Sequence, residues 1–172
     1  MIRVLTVRQP WASAMFYPTT DPRTGQVVEA KDVENRPRNV AGDYRGPVAI
    51  HASLTHDTGT DSMVGEHPIV AFLDWNEHSG VELSTTAGQI IGVVDLVDVH
   101  VARATASGRL VDWAEHTKPE ELCSPWAEWD RWHLELANPR PLQAPIPFKG
   151  ALHLQTAPEA VEAEIVRQIG PI

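Results

Sequence analysis

The run Gly88-Gln89-Ile90-Ile91-Gly92-Val93-Val94-Asp95-Leu96-Val97-Asp98-Val99-His100-Val101 constrains this chain more than any other segment. It is rich in β-branched residues, free of proline and without helical periodicity, so it predicts a long strand. Apolar neighbours on both sides of Gly92 predict burial on both faces, as in a barrel wall, and the glycine predicts a bend. Asp95 and Asp98 are an odd number of residues apart and fall on opposite faces. One is expected in solvent, while the other can enter a barrel mouth.

The rest of the pattern is many short strands with two or three short helices. Strands are predicted at residues 2–8, 48–50, 133–136 and 151–155. Prolines at 139, 141, 145 and 147 restrict their segment to an extended edge. Pro10 can open a first helix, with Ala12, Met15 and Phe16 at helical spacing. A second helix is expected around 68–77 and short helical stretches within 102–123. A final helix at about 157–169 is predicted from a capping box, Thr156-x-x-Glu159, with Gly170 as its stop. Residues 18–29 read as a loop or short hairpin. Trp126, Trp129 and Trp132 would share one stripe if their segment is helical, more often as core than as a base-stacking platform. No repeat, low-complexity tract or linker divides the chain, and alternating βα units are absent. The expectation is one domain, mainly β (α+β): a small β-barrel flanked by short helices.

Charge narrows the possible partners. The formal net charge is −9, which argues against nonspecific coating of nucleic acid. Residues 1–50 nevertheless carry seven Lys/Arg against five Asp/Glu, whereas the remainder carries seven against eighteen. An anion-binding surface should draw on the first fifty residues. No apolar run is long enough to span a membrane, and residues 1–17 do not read as a signal peptide, so a cytoplasmic protein without membrane contact is expected. A single cysteine, Cys123, excludes an intrachain disulfide and a paired-thiolate zinc site. The eight histidines are scattered, and no metal or cofactor is expected.

Phosphate loops, dinucleotide fingerprints, Gly-x-Ser-x-Gly and His-Glu-x-x-His are all missing. Four subtler groups remain. Gln9 and Trp11 flank Pro10 at a strand-to-helix junction, where Gln9 can read a base edge or simply cap the turn. Lys31, Glu34 and Arg36 form a charged segment. If it is extended, Glu34 and Arg36 share one face; if Lys31 sits in the preceding turn, it can join Glu34. Such a pair is either a plain surface ion pair or an acid–base pair sheltered by a cleft. Arg45 can clamp a phosphate, and His51 and Ser53 end a buried strand. Asp95 and Asp98 lie on the long strand.

Taken in order, Leu5-Thr6-Val7-Arg8-Gln9-Pro10-Trp11-Ala12, Lys31-Asp32-Val33-Glu34-Asn35-Arg36, Tyr44 to Ser53, Gly88 to Leu96, Trp132 to Pro139 and Pro147-Phe148-Lys149-Gly150 resemble the ASCH domain family. The resemblance spans about residues 3–154. It implies a PUA-like β-barrel with a cleft beside the first helix, binding RNA or a modified nucleoside or nucleotide. It also implies relatives that deacetylate cytidine nucleosides or cleave RNA. In the deacetylating type the cleft carries a lysine, a threonine three residues on and an acid. Lys31 matches the lysine, Glu34 replaces the threonine, and Asp95 is the nearest candidate for the acid. Ala30 stands where the family commonly has glycine, and residues 18–29 are longer than the pattern needs, as a flap over the cleft or a surface hairpin.

The leading expectation is a binding module in which Lys31, Arg36 and Arg45 meet phosphate on one concave surface, Gln9 and Glu34 read a base, and Trp11 supports the pocket. A hydrolase of nucleoside amides or RNA phosphodiesters, using Lys31 with Glu34 or Asp95, is the alternative. A protein-interaction domain using the acidic face is the third.

Overall fold

The computed structural model describes residues 1–172 apart from 22–23, 64–66, 80–82, 115–117 and 119, and apart from the side chains of 61, 62 and 84. In chain order the elements are β1 (Arg3–Gln9), α1 (Trp11–Ala14), β2 (Thr19–Thr20), β3 (Val27–Val28), β4 (Val33–Arg36) and β5 (Gly46–His56). Then come α2 (Pro68–Ser79), β6 (Gln89–Ala104), β7 (Leu110–Asp112), β8 (Arg131–Pro147), β9 (Gln155–Thr156) and α3 (Glu159–Ile169). Single 3-10 turns lie at Thr58–Ser62 and Leu83–Thr86.

Seven strands form one mainly β sheet, curled into a half-barrel, in the order β4-β8-β6-β5-β1-β9, with β7 also on β6. Among the described strands only β1 and β5 run parallel. The predicted long strand is β6, and it is central as expected, holding β5, β7 and β8. Its failure to alternate has a direct cause. Ile91, Val94 and Leu96 pack with Leu5, Ile50, Met15 and Phe16 on one face. Ile90 and Val93 pack with Val4, Ala49 and the Ile165 of α3 on the other. The pairing register with β8 shifts between Ile90 and Gly92. A Cβ on Gly92 would lie 2.3 Å from a Phe16 ring carbon and 2.9 Å from the Arg140 carbonyl, so glycine there seats the Phe16 ring.

The proline-rich segment joins one continuous strand, β8, instead of ending after residue 136. The prolines are tolerated because β4 covers β8 only from Trp132 to Glu135. Beyond that point β8 has β6 on one side only, and a missing N–H on the free side costs no sheet bond. The free edge is partly sealed by α3, whose Gln168 accepts from the Ala144 N–H and donates to the Ala144 carbonyl, both at 3.0 Å.

Several local expectations fail for identifiable reasons. The capping box at α3 does not form: Pro158 is the N-cap, with no side-chain cap bond, and Thr156 instead accepts from Arg3 at 2.6 Å. The three tryptophans do not share a helix, because the segment after Ser124-Pro125 turns and Asp130 adopts φ 60° before β8 begins. Trp126 is core, beside Val33 and Phe72. Within 102–123 the described residues form a hairpin, β6 to β7, that turns at Gly108 with φ 80°; residues 115–117 and 119 of that stretch lie outside the described residues. Within the 18–29 segment the described residues include two short antiparallel strands, β2 and β3, packed on α2; residues 22–23 lie outside the described residues. None of its described residues overhangs the cleft described next.

Candidate functional site

The sheet path ends at β4 on one side and at β9 on the other, and β9 covers β1 only at Arg3 and Val4. The remainder of β1 therefore faces β4 across an unclosed seam. Arg36 spans it, donating from β4 to the Thr6 carbonyl of β1 at 2.7 Å. At this seam lies a cleft of about 490 Å³, within the ordinary range for small-molecule sites. Its walls include Arg8, Trp11, Lys31, Glu34, Arg36 and Arg131.

Its floor is a cation–anion–cation chain. Lys31 sits in the irregular segment just before β4, its N–H bonded to the Ala14 carbonyl. That placement lets it join Glu34 and Arg36, the two residues that strand alternation puts on one face. Lys31 Nζ donates to Glu34 Oε2 at 2.8 Å and to the Val33 carbonyl. Arg36 donates to Glu34 Oε1 at 3.0 Å. Lys31 is 3% and Glu34 8% exposed, so the pair is a buried one and not the solvated surface pair. Burial pushes the Glu34 carboxyl up, but the charges and hydrogen bonds of Lys31 and Arg36 outweigh it and hold the group below its ordinary 4.5. Trp11 lies 5.9 Å from the Lys31 ammonium, donates from Nε1 to Asp57 at 3.1 Å and meets the His67 ring edge-on. Burial lowers the His67 pKa.

Ser53 lies on the wall, while His51 lines an adjoining hollow that shares Thr6, Ser53 and Thr55 with the cleft. His51 is buried, with Nε2 on the Phe148 carbonyl at 3.0 Å. Burial lowers its pKa below 6.5, against the effect of that carbonyl.

Three of the expected residues are placed elsewhere. Gln9 is buried and caps the first helix: it donates to Ser13 and Thr86 at 2.8 and 2.9 Å and accepts from the Ser13 N–H at 3.1 Å. That helix is a single turn, too short to offer a positive dipole end at Pro10. Arg45 pairs with Asp98 at 3.5 Å and lies off the cleft, so Lys31, Arg36 and Arg45 do not share one concave surface. Asp95 pairs with Arg140 and accepts from Asn138 at 2.9 Å, also off the cleft.

Arg8 and Arg131 take the place expected for Arg45. Arg8 was visible in principle, since alternation along β1 puts it opposite Gln9. Arg131 and Glu128 arrive from nearly a hundred residues away, and no local pattern marks them. Neither a family model nor a curated protein matches this chain. No helix among the described residues is long and apolar enough to cross a membrane.

Proposed function

We propose that this chain is an ASCH-type domain with a PUA-like half-barrel, and that its seam cleft binds one nucleotide, free or within RNA and modified on its base. The observation that carries this reading is the gathering of Arg8, Arg36 and Arg131 with Trp11 and Ser53 in one cleft of a protein with net charge −9. The guanidinium forks suit a phosphate. The Trp11 ring offers a stacking face, and the fixed Glu34 carboxylate is an acceptor for a base's amino group.

The hydrolase alternative has weaker support. A general base works best with a pKa near the operating pH. Glu34 is held on the low side, with both oxygens occupied by cations, which makes it a firm acceptor and a feeble base. Asp95 lies off the cleft.

Calorimetric titration with nucleosides, nucleotides and short RNAs, plain and base-modified, tests the proposal. Trp11→Ala should weaken binding by about 1–3 kcal/mol if the base stacks there. Arg131→Ala should weaken it and lower the salt dependence by about one phosphate contact, whereas Arg45→Ala should do neither. Absence of wild-type binding across the panel, or equal losses for Arg45→Ala and Arg131→Ala, would refute it.

A further inference from the structure

At the far end of β6 from Gly92, four side chains from separate elements converge. They are His100 of β6, Asp112 at the end of β7, Cys123 in the following loop and His133 of β8. Their potential donor atoms all lie within 4.8 Å of one another. His133 Nδ1 is 3.2 Å from His100 Nε2, 3.3 Å from Cys123 Sγ and 3.4 Å from Asp112 Oδ2, and His100 Nε2 is 3.0 Å from Asp112 Oδ1. In tetrahedral zinc sites, bonds of about 2.0–2.3 Å put neighbouring donor atoms about 3.3–3.6 Å apart. These four separations, the two to Asp112 being to different oxygens of its carboxylate, lie within a few tenths of an ångström of that range.

The surrounding hydrogen bonds orient the four groups. His133 Nε2 lies 2.8 Å from the Glu128 carbonyl. A carbonyl only accepts, so this nitrogen carries the proton and Nδ1 presents its lone pair inward. His100 Nδ1 lies 2.9 Å from Asp98 Oδ2, so its proton faces that carboxylate and Nε2 points inward, free to act as a ligand when it carries no proton. The Asp112 carboxylate is held by the N–H groups of Ala114 and Cys123 at 3.1 and 2.9 Å. Two imidazole nitrogens, a carboxylate and a sulfur thus point at one another in a buried space, an arrangement that one shared cation would satisfy. Histidine rings tied back by a carboxylate and by a carbonyl are the outer shell usual around metal-bound histidine.

We propose that His100, Asp112, Cys123 and His133 bind one zinc-type divalent ion as a closed, structural site. The mixed nitrogen, sulfur and oxygen set suits zinc, and four protein ligands leave no open position for substrate. Binding converts the Cys123 thiol to thiolate and releases its proton to solvent. The ion ties the β6–β7 hairpin to β8 and to the loop that carries Cys123. That loop continues to Glu128, whose N–H donates to Asn35 at 3.0 Å, so the metal braces one wall of the cleft.

Full-length protein stripped of metal by chelator dialysis is titrated with Co(II) and then Zn(II). One Co(II) per chain is expected, with a thiolate-to-cobalt charge-transfer band, intense tetrahedral ligand-field bands, and displacement of both by Zn(II). Cys123→Ser should lose the charge-transfer band. Asp98→Ala, at a partly exposed outer-shell position, should keep the fold and lower zinc affinity about 10–100-fold. If Cys123→Ser fails to fold, wild-type alkylation decides: zinc should slow modification of Cys123. Cobalt bound without a thiolate band, no binding against a weak chelator, or an alkylation rate indifferent to zinc overturns the proposal in favour of a proton-bridged network.

Discussion

Replacing Glu34 by Gln removes the negative charge between two cations while keeping its shape. In the native protein each carboxylate oxygen serves one cation, Lys31 at 2.8 Å and Arg36 at 3.0 Å. An amide has one oxygen, so it can serve only one of them and turns its own N–H groups toward the other. Lys31, at 3% exposure, cannot swing into water and keeps only the Val33 carbonyl. Breaking a buried ion pair costs about 3–5 kcal/mol, and the one amide hydrogen bond returns about 1 kcal/mol. The expected loss is about 2–4 kcal/mol. For a chain of 172 residues that is a fall in Tm of about 4–16 °C. Urea unfolding should show a lower midpoint at constant m. Because the native pKa of Glu34 lies below its ordinary 4.5, its contribution is complete above that value and vanishes as pH falls through the native one. The gap between wild type and variant should therefore close in acid. A loss under about 0.5 kcal/mol, or a gap independent of pH, would place the pair among hydrated surface bridges and refute the reasoning.

Two further outcomes follow from close packing and burial. Gly92→Ala forces the Phe16 ring aside and should cost about 1–3 kcal/mol in thermal or urea unfolding; a neutral result would mean that the ring has room to move. His51, with its pKa lowered by burial, should remain neutral as pH drops below 6.5, and its contribution to stability, complete above 6.5, should decline as pH falls from there and be lost once pH has passed through its lower native pKa. Imidazole nitrogen shifts followed by NMR would contradict this if their midpoint fell at or above 6.5.

What was legible depended on how local the cause is. The unalternating β6 run announced burial on two faces, and the structure supplies one layer for each. Lys31 beside Glu34 was legible as one of two arrangements, but the choice depends on the Ala14 carbonyl that anchors Lys31, seventeen residues away. The extent of β8 was illegible because tolerance of its prolines depends on how short β4 is. Arg45 looked like a phosphate clamp by residue type, yet in the loop just before β5 it turns toward Asp98. The histidines looked scattered because His100 and His133 meet only through the pairing of β6 with β8, which sets them opposite each other.

That same pairing connects the seam cleft to the four-ligand cluster. Asn35, opposite His133 on β4, accepts from the Glu128 N–H and donates to the Trp126 carbonyl at 2.8 Å. The Glu128 carbonyl in turn accepts from His133. An edge strand of four residues, paired on one side only, is a weak scaffold for a charged site. Here the loop from Cys123 to Glu128 braces it from the other direction, with Ser124 donating to Asp32 and Trp126 donating to the Glu29 carbonyl at 3.2 Å. A half-barrel that closed fully would pair β4 with β1 and leave no cleft. One that left β4 unsupported would not hold Lys31, Glu34 and Arg36 in register. The open seam and its side-chain bracing are thus two parts of one solution, and a loss of order at Cys123 should be felt first at Glu128 and the cleft wall.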